Sequence, residues 1–181
     1  LPRKVWIAEL PGYEPEVPDP TLEEPDVEPE ALPLEGSAFH VRWNPDGEWL
    51  AVDLAPSPLI DDRYMNRRVH VVNAISGTTR AVIANPGKLG DFEFSPDGTM
   101  VVYWAEQDTD GEYDLYSVPI DRSSEPVKLN DELLPRGDVG NPEDDAAERG
   151  FEISADSATV VYWADQDTDD VYELYSVPID R

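Results

Sequence analysis

From Phe39 onward, apolar and polar residues alternate in short runs rich in β-branched and aromatic side chains. A period of two sends alternate side chains to opposite faces, so these runs predict strands. Within one stretch the pattern predicts strands over Asp91–Ser95, Met100–Ala105, Tyr113–Val118 and Pro126–Leu129. The links carry turn chemistry. NPDG at Asn44–Gly47 and SPDG at Ser95–Gly98 combine a proline that presets φ, an Asp that bonds its own backbone, and a glycine for the left-handed position. No segment shows helical periodicity.

The runs recur. Phe92–Arg122 reads FEFSPDGTMVVYWAEQDTDGEYDLYSVPIDR and Phe151–Arg181 reads FEISADSATVVYWADQDTDDVYELYSVPIDR; 22 of 31 positions are identical without a gap. That agreement is duplication. A more diverged copy starts at Phe39, FHVRWNPDGEWLAV, and continues to RVHVVNAISGTTRAVI. Matching Asp46, Asp97 and Asp156 gives repeats of 51 and 59 residues, longer than a common propeller blade of about 40–45. Insertions explain the excess: LAPSPLIDDRYMNRR before the third strand of the first copy, and DELLPRGDVGNPEDDAAER after the fourth strand of the second. The third copy has Ser154-Ala155-Asp156-Ser157 at its turn, without Pro or Gly, and is expected to be the loosest of the three. Four short antiparallel strands per repeated unit describe propeller blades.

The hairpin W/F-x-PDG-x-x-hydrophobic followed by LYSVPID resembles the TolB-like propeller repeat of bacterial extracytoplasmic proteins, over roughly Phe39 to Arg181. The resemblance implies a fold and no single activity. Proteins of this kind include the Pal-associated periplasmic TolB and the non-catalytic propellers of prolyl-oligopeptidase-type enzymes. The sequence therefore predicts an all-β chain: a partial β-propeller of about three four-stranded antiparallel blades plus an extra N-terminal strand. Residues 1–10 are expected to hold a strand of a preceding or partner blade, since KVWIAELPG resembles the third-strand segment ELYSVPIDR. Residues 11–36 form a Pro- and Glu-rich acidic linker or loop, 37–85 the first blade, 86–148 the second with an acidic inserted loop at 130–148, and 149–181 an incomplete third. Closed propellers have four to eight blades, so either a longer chain or a partner is expected to close the sheet.

Charge narrows the functions. Forty Asp and Glu against 13 Lys and Arg leave a net charge of −27, which excludes reading nucleic acid by phosphate neutralisation and disfavours an anionic membrane surface. There is no cysteine, hence no disulfide, thiolate metal site or cysteine nucleophile. No apolar run reaches the roughly 18 residues of a membrane span. The stretch Pro11–Gly36, with frequent proline and no basic residue, reads as extended and solvated, or as an arm for a basic groove.

Nucleophilic chemistry lacks its parts: no GxSxG elbow occurs, and the two histidines, His40 and His70, fall on different strands. Glu106-Gln107-Asp108-Thr109-Asp110-Gly111 followed by Asp114, and Asp165-Gln166-Asp167-Thr168-Asp169-Asp170 followed by Glu173, resemble the start of a calcium loop. Alternate oxygens of a tight loop can converge on Ca²⁺, so Glu106, Asp108, Asp110, Asp114, Asp165, Asp167, Asp169 and Glu173 are the candidate metal ligands. The bland alternative is a self-bonded hairpin loop. Trp43, Trp104, Trp163, Tyr103, Tyr162, Tyr116 and Tyr175 are expected to pack between blades. The leading functional expectation is a non-catalytic scaffold for protein–protein association outside the cytoplasm, periplasmic or secreted. The alternatives are the substrate-gating propeller of a hydrolase whose catalytic domain lies elsewhere, and a calcium-stabilised extracellular structural or filament-forming protein. A protein partner or self-association through open blade edges is expected.

Overall fold

The computed structural model describes residues 3–7, 28–140, 150–169 and 171–181. Strands β3 (Ser37–Trp43), β4 (Trp49–Ala55), β5 (Arg68–Asn73) and β6 (Thr79–Ile83) form one antiparallel sheet in sequential order. A second sheet holds β7 (Leu89–Phe94), β8 (Met100–Ala105), β9 (Asp114–Pro119) and β10 (Val127–Lys128). The third holds β11 (Phe151–Ile153), β12 (Thr159–Ala164) and β13 (Glu173–Pro178). Three meandering sheets, each built from one sequence repeat, are propeller blades. The expected all-β partial propeller is the fold observed.

The blades stack through their apolar faces. Ala51, Val69, Val71 and Ile83 of the first blade share a buried cluster with Phe92, Phe94, Val101 and Tyr103 of the second. The opposite face of the second blade, with Val102 and Leu115, joins Phe151, Val160, Tyr162 and Val177 of the third. Period-two alternation makes this possible, because a blade between two neighbours needs both faces apolar.

The N-terminal segment forms a two-stranded ribbon. β1 (Trp6–Ile7) pairs with the chain's own β2 (Glu30–Ala31), not with a blade strand. Val5, Leu32 and Leu34 pack on Leu50, Val52 and Leu54, so the ribbon covers the outer face of the first blade. Residues 8–10 of the expected strand, 11–27 of the linker and 141–148 of the inserted loop lie outside the described residues. The first insertion carries a short helix, α1 (Ile60–Met65), that no apolar period foretold. It needs no period because none of its residues is buried.

The hairpin turns line one rim and lean on one another. Asn44 donates from its side chain to the Gly98 carbonyl at 2.8 Å, and the Asp97 amide donates to Ser157 Oγ at 2.9 Å. Gly98 sits at φ +73°, and a Cβ there would come within 2.3 Å of Asn44 Oδ1. The third turn closes as tightly as the others: the Ser157 amide reaches the Ser154 carbonyl at 2.8 Å, as Gly98 reaches Ser95. Ser157 adopts φ +61°, so the missing glycine appears as backbone strain in place of a loose turn.

Of the aromatics, Tyr103, Tyr116 and Tyr162 are buried, and Tyr103 and Tyr162 stack on their cross-strand partners Tyr116 and Tyr175 at 5.4 and 5.3 Å. Trp43 is 55% exposed, and Trp163 lies outside the clusters that join the blades.

Candidate functional site

In each blade the turns joining the first and second strands share a rim, and the loops joining the second and third strands lie on the opposite one. That opposite rim carries α1, the loop 106–113, the inserted loop from Asn130 to Gly140, and the loop residues 165–169. The acids marked as candidate metal ligands lie on or beside this rim.

At the first blade, β3 is bulged between Ala38 and Val41, which removes Phe39 and His40 from the regular ladder. Asp53, fully buried on β4, replaces the lost partner. Its carboxylate accepts both backbone N–H groups, and also bonds His40 Nδ1 at 2.9 Å and Arg67 at 2.6 Å. Arg67 donates its other amine to the Leu89 carbonyl and so ties the first blade to the second. Burial alone would raise the Asp53 pKa. The His40 hydrogen bond and the Arg67 charge overcome that and hold it below the usual carboxylate value. His70 lies on β5, with desolvation lowering its pKa, and is not joined to His40. Among the described residues no Ser or Thr hydroxyl bonds either imidazole.

At the second blade Glu106 is buried, accepting from Lys88 at 2.8 Å and from the Gly111 amide at 2.9 Å. Asp114, also buried, takes Lys128 at 2.7 Å and the Asn130 side chain at 2.7 Å, and Asp108 meets the same lysine at 3.2 Å. Asp110 is exposed in the loop. At the third blade Asp165 accepts the Asp138 amide at 2.6 Å, Glu173 receives the Tyr175 hydroxyl at 3.1 Å, and Asp167 and Asp169 are exposed. Among the described residues, no three His, Asp or Glu side chains converge in a metal-binding arrangement. In the second blade two of the chain's three lysines, Lys88 and Lys128, pair with acids that the spacing marked for calcium.

Sequence reasoning did not single out Asp53, Arg67 or Asp138. The usable signal was rarity: where acids outnumber bases threefold, a lysine at the inward position of a strand has carboxylates waiting for it.

Asp138, in the inserted loop, is half-buried and accepts the Tyr113 amide at 2.7 Å. Burial and the negative charges of Asp165, Glu112 and Glu106 push its pKa up to about 6, against the lowering effect of that hydrogen bond. A raised folded pKa means stability that is fully present below the unfolded value and lost as pH rises through about 6. Asp138→Asn keeps an oxygen for Tyr113 and removes the repulsion. It should stabilise the fold at pH 8 by about 1 kcal/mol, after discounting for solvent screening, with the gain fading toward pH 4. Urea midpoints at the two pH values check this; an equal gain at both would remove Asp138 as its source.

No protein family's sequence profile matches the chain, and no curated protein matches it. Solved structures do. A protein assigned as TolB from Agrobacterium tumefaciens superimposes with a TM-score of 0.56 at 16% identity, covering 84% of this chain and 49% of that one. A Listeria monocytogenes EGD-e protein gives 0.55 at 12% identity, covering 86% and 41%, and the tricorn protease 0.54 at 15%, covering 84% and 14%. The chain thus has the TolB-like β-propeller fold and spans half or less of the length of these neighbours. Among the described residues no helix is long and apolar enough to cross a membrane.

Proposed function

We propose that the protein is a propeller scaffold outside the cytoplasm that mediates protein–protein association and performs no chemistry itself. The observation that carries this reading is α1. Leu59 at its N-terminus, then Ile60, Tyr64 and Met65, expose 67, 67, 53 and 40% of their surface on the insertion-bearing rim, while no residue of the helix is buried. Apolar side chains that contribute nothing to the core, clustered on a rigid rim, suit a partner's surface. The chain's net charge of −27 selects partners with basic margins.

Replacing Leu59, Ile60, Tyr64 and Met65 together by serine is expected to abolish capture of the protein's extracytoplasmic partner. The melting temperature should stay unchanged, because nothing buried is lost. Capture that persists in this variant, or turnover of peptide or ester substrates by the purified chain, would overturn the reading.

A second reading has a specific observation behind it: the tricorn protease and puromycin hydrolase are among the structural neighbours, the latter at a TM-score of 0.52 and 15% identity. The blades would then gate substrate for a catalytic domain elsewhere in the chain. A GxSxG elbow encoded downstream in the same reading frame favours that reading.

A further inference from the structure

The rim around α1 carries charge of the sign that is scarce in this chain. Ile60, Arg63 and Tyr64 are spaced three and four apart, so they share one face of the helix. The Arg63 guanidinium lies over the rings of Phe39 and Tyr64, 5.6 and 5.9 Å from their centroids. A second guanidinium, that of Arg3, lies 5.3 Å from the same Phe39 centroid. The bulge in β3 positions that ring: it takes Phe39 out of the regular ladder, and Asp53 holds its amide.

Six other bases meet acids. Arg42, Arg67, Lys88, Arg122, Lys128 and Arg181 each pair with a carboxylate. Among the described residues no carboxylate pairs with Arg3 or Arg63, although acids outnumber bases threefold in the chain. Of the acids on α1, Asp62 accepts from Ser57 and Asn66, and Asp61, two positions before Arg63, falls on another face. Two cations over one ring repel each other, and an anion beside them removes that cost. A guanidinium lying on an aromatic ring keeps its edge donors for the two oxygens of a carboxylate. Beside these donors lie the exposed apolar side chains of Leu59, Ile60 and Tyr64.

We propose that the α1 rim docks a separate protein through an apolar segment carrying one Glu or Asp, its carboxylate held by Arg63 and Arg3 over Phe39. At physiological salt, charges more than about 8 Å away are largely screened, so the nearby guanidinium pair sets the local sign. The partner's basic margins answer the wider negative field, and its single carboxylate answers the local positive one. A second copy of this chain is the wrong occupant, because it brings the same cations to the rim and another net charge of −27. This docking chemistry rests on the scaffold reading and deepens it.

The probes are two synthetic peptides, acetyl-Leu-Glu-Leu-Phe-amide and its counterpart with Gln in place of Glu, added to the full chain. The Glu peptide should shift the Arg63 Nε–H resonance and bind about fivefold more tightly than the Gln peptide. Arg63→Gln should erase that preference and leave the melting temperature unchanged, since Arg63 is exposed. Arg63→Lys, which keeps the charge and loses the planar fork, should retain part of it. Three results would overturn the inference: no shift at Phe39, Arg63 or Tyr64 in millimolar peptide, equal affinity for the two peptides, or a preference for Glu that survives in Arg3→Gln/Arg63→Gln. A shift of the Arg63 signal by acetate alone, as large as that by the Glu peptide, would also overturn it by leaving the apolar segment no part. Binding of the Gln peptide, and its loss in the serine variant of α1, test the rim as an apolar partner surface whatever the carboxylate does. Failure of the carboxylate and failure of the rim are therefore separate results.

Discussion

Asp53→Ala should cost about 3–5 kcal/mol, the range for removing one partner of a buried charge pair, and bring the protein close to its unfolding threshold. The cost is large because one carboxylate serves three groups that have no substitute: the two amides released by the β3 bulge, and Arg67, whose side chain is 13% exposed. Losing it strands partly buried donors and loosens the Arg67 link to Leu89. His40→Ala should cost about 1 kcal/mol or less, since its imidazole is half exposed. The folded pKa of Asp53 is lowered, so its contribution is present above the unfolded carboxylate value and is lost as pH falls through the folded one. The stability gap between wild type and Asp53→Ala should therefore be full at pH 7 and narrow below about pH 4. Denaturant midpoints across that range measure it. A gap under about 1 kcal/mol at pH 7 would show that the bulge holds without its carboxylate.

The second large effect is at Asp114. Its carboxylate lies under the fourth strand of the second blade, with Lys128 and Asn130 each at 2.7 Å. Asp114→Ala should cost about 3 kcal/mol, and Lys128→Met, which keeps the apolar stem, about 1–2. Because the two side chains stabilise one another, the double variant should be less damaged than the sum, with a coupling of about 1–3 kcal/mol. Additive losses would mean that Lys128 acts through packing alone. The same experiment bears on the calcium expectation. In chelator-treated protein at constant ionic strength, a melting temperature that rises with millimolar Ca²⁺ in wild type but not in Asp114→Ala would assign these acids to a metal.

The insertion-bearing rim shows where reading a chain in one dimension runs short. Glu106, Asp108, Asp114 and their repeats stood out because alternate acids in a tight loop resemble a cation site, and in the second blade they do meet a cation. Spacing alone cannot show that Lys128, fourteen positions beyond Asp114, is brought back to it by a strand reversal. Helix α1 escaped notice for a related reason. It buries nothing, so it has no apolar stripe, and its exposed Leu59, Ile60 and Tyr64 looked like loop residues.

What the sequence determined was everything that depends on near neighbours. Strands follow from period-two alternation, hairpins from Asn-Pro-Asp-Gly and Ser-Pro-Asp-Gly, and the blades from a duplicated stretch identical at 22 of 31 positions. These are short-range preferences, and a repeat states them more than once. Tertiary structure alone decided which charges pair, why Asp53 is buried, and why burial and neighbouring carboxylates push the Asp138 pKa up. Those outcomes turn on distances of a few ångströms between segments far apart in the chain. Burial and Coulomb energy both change steeply over that range, so the partner of an acid cannot be read from its spacing along the chain.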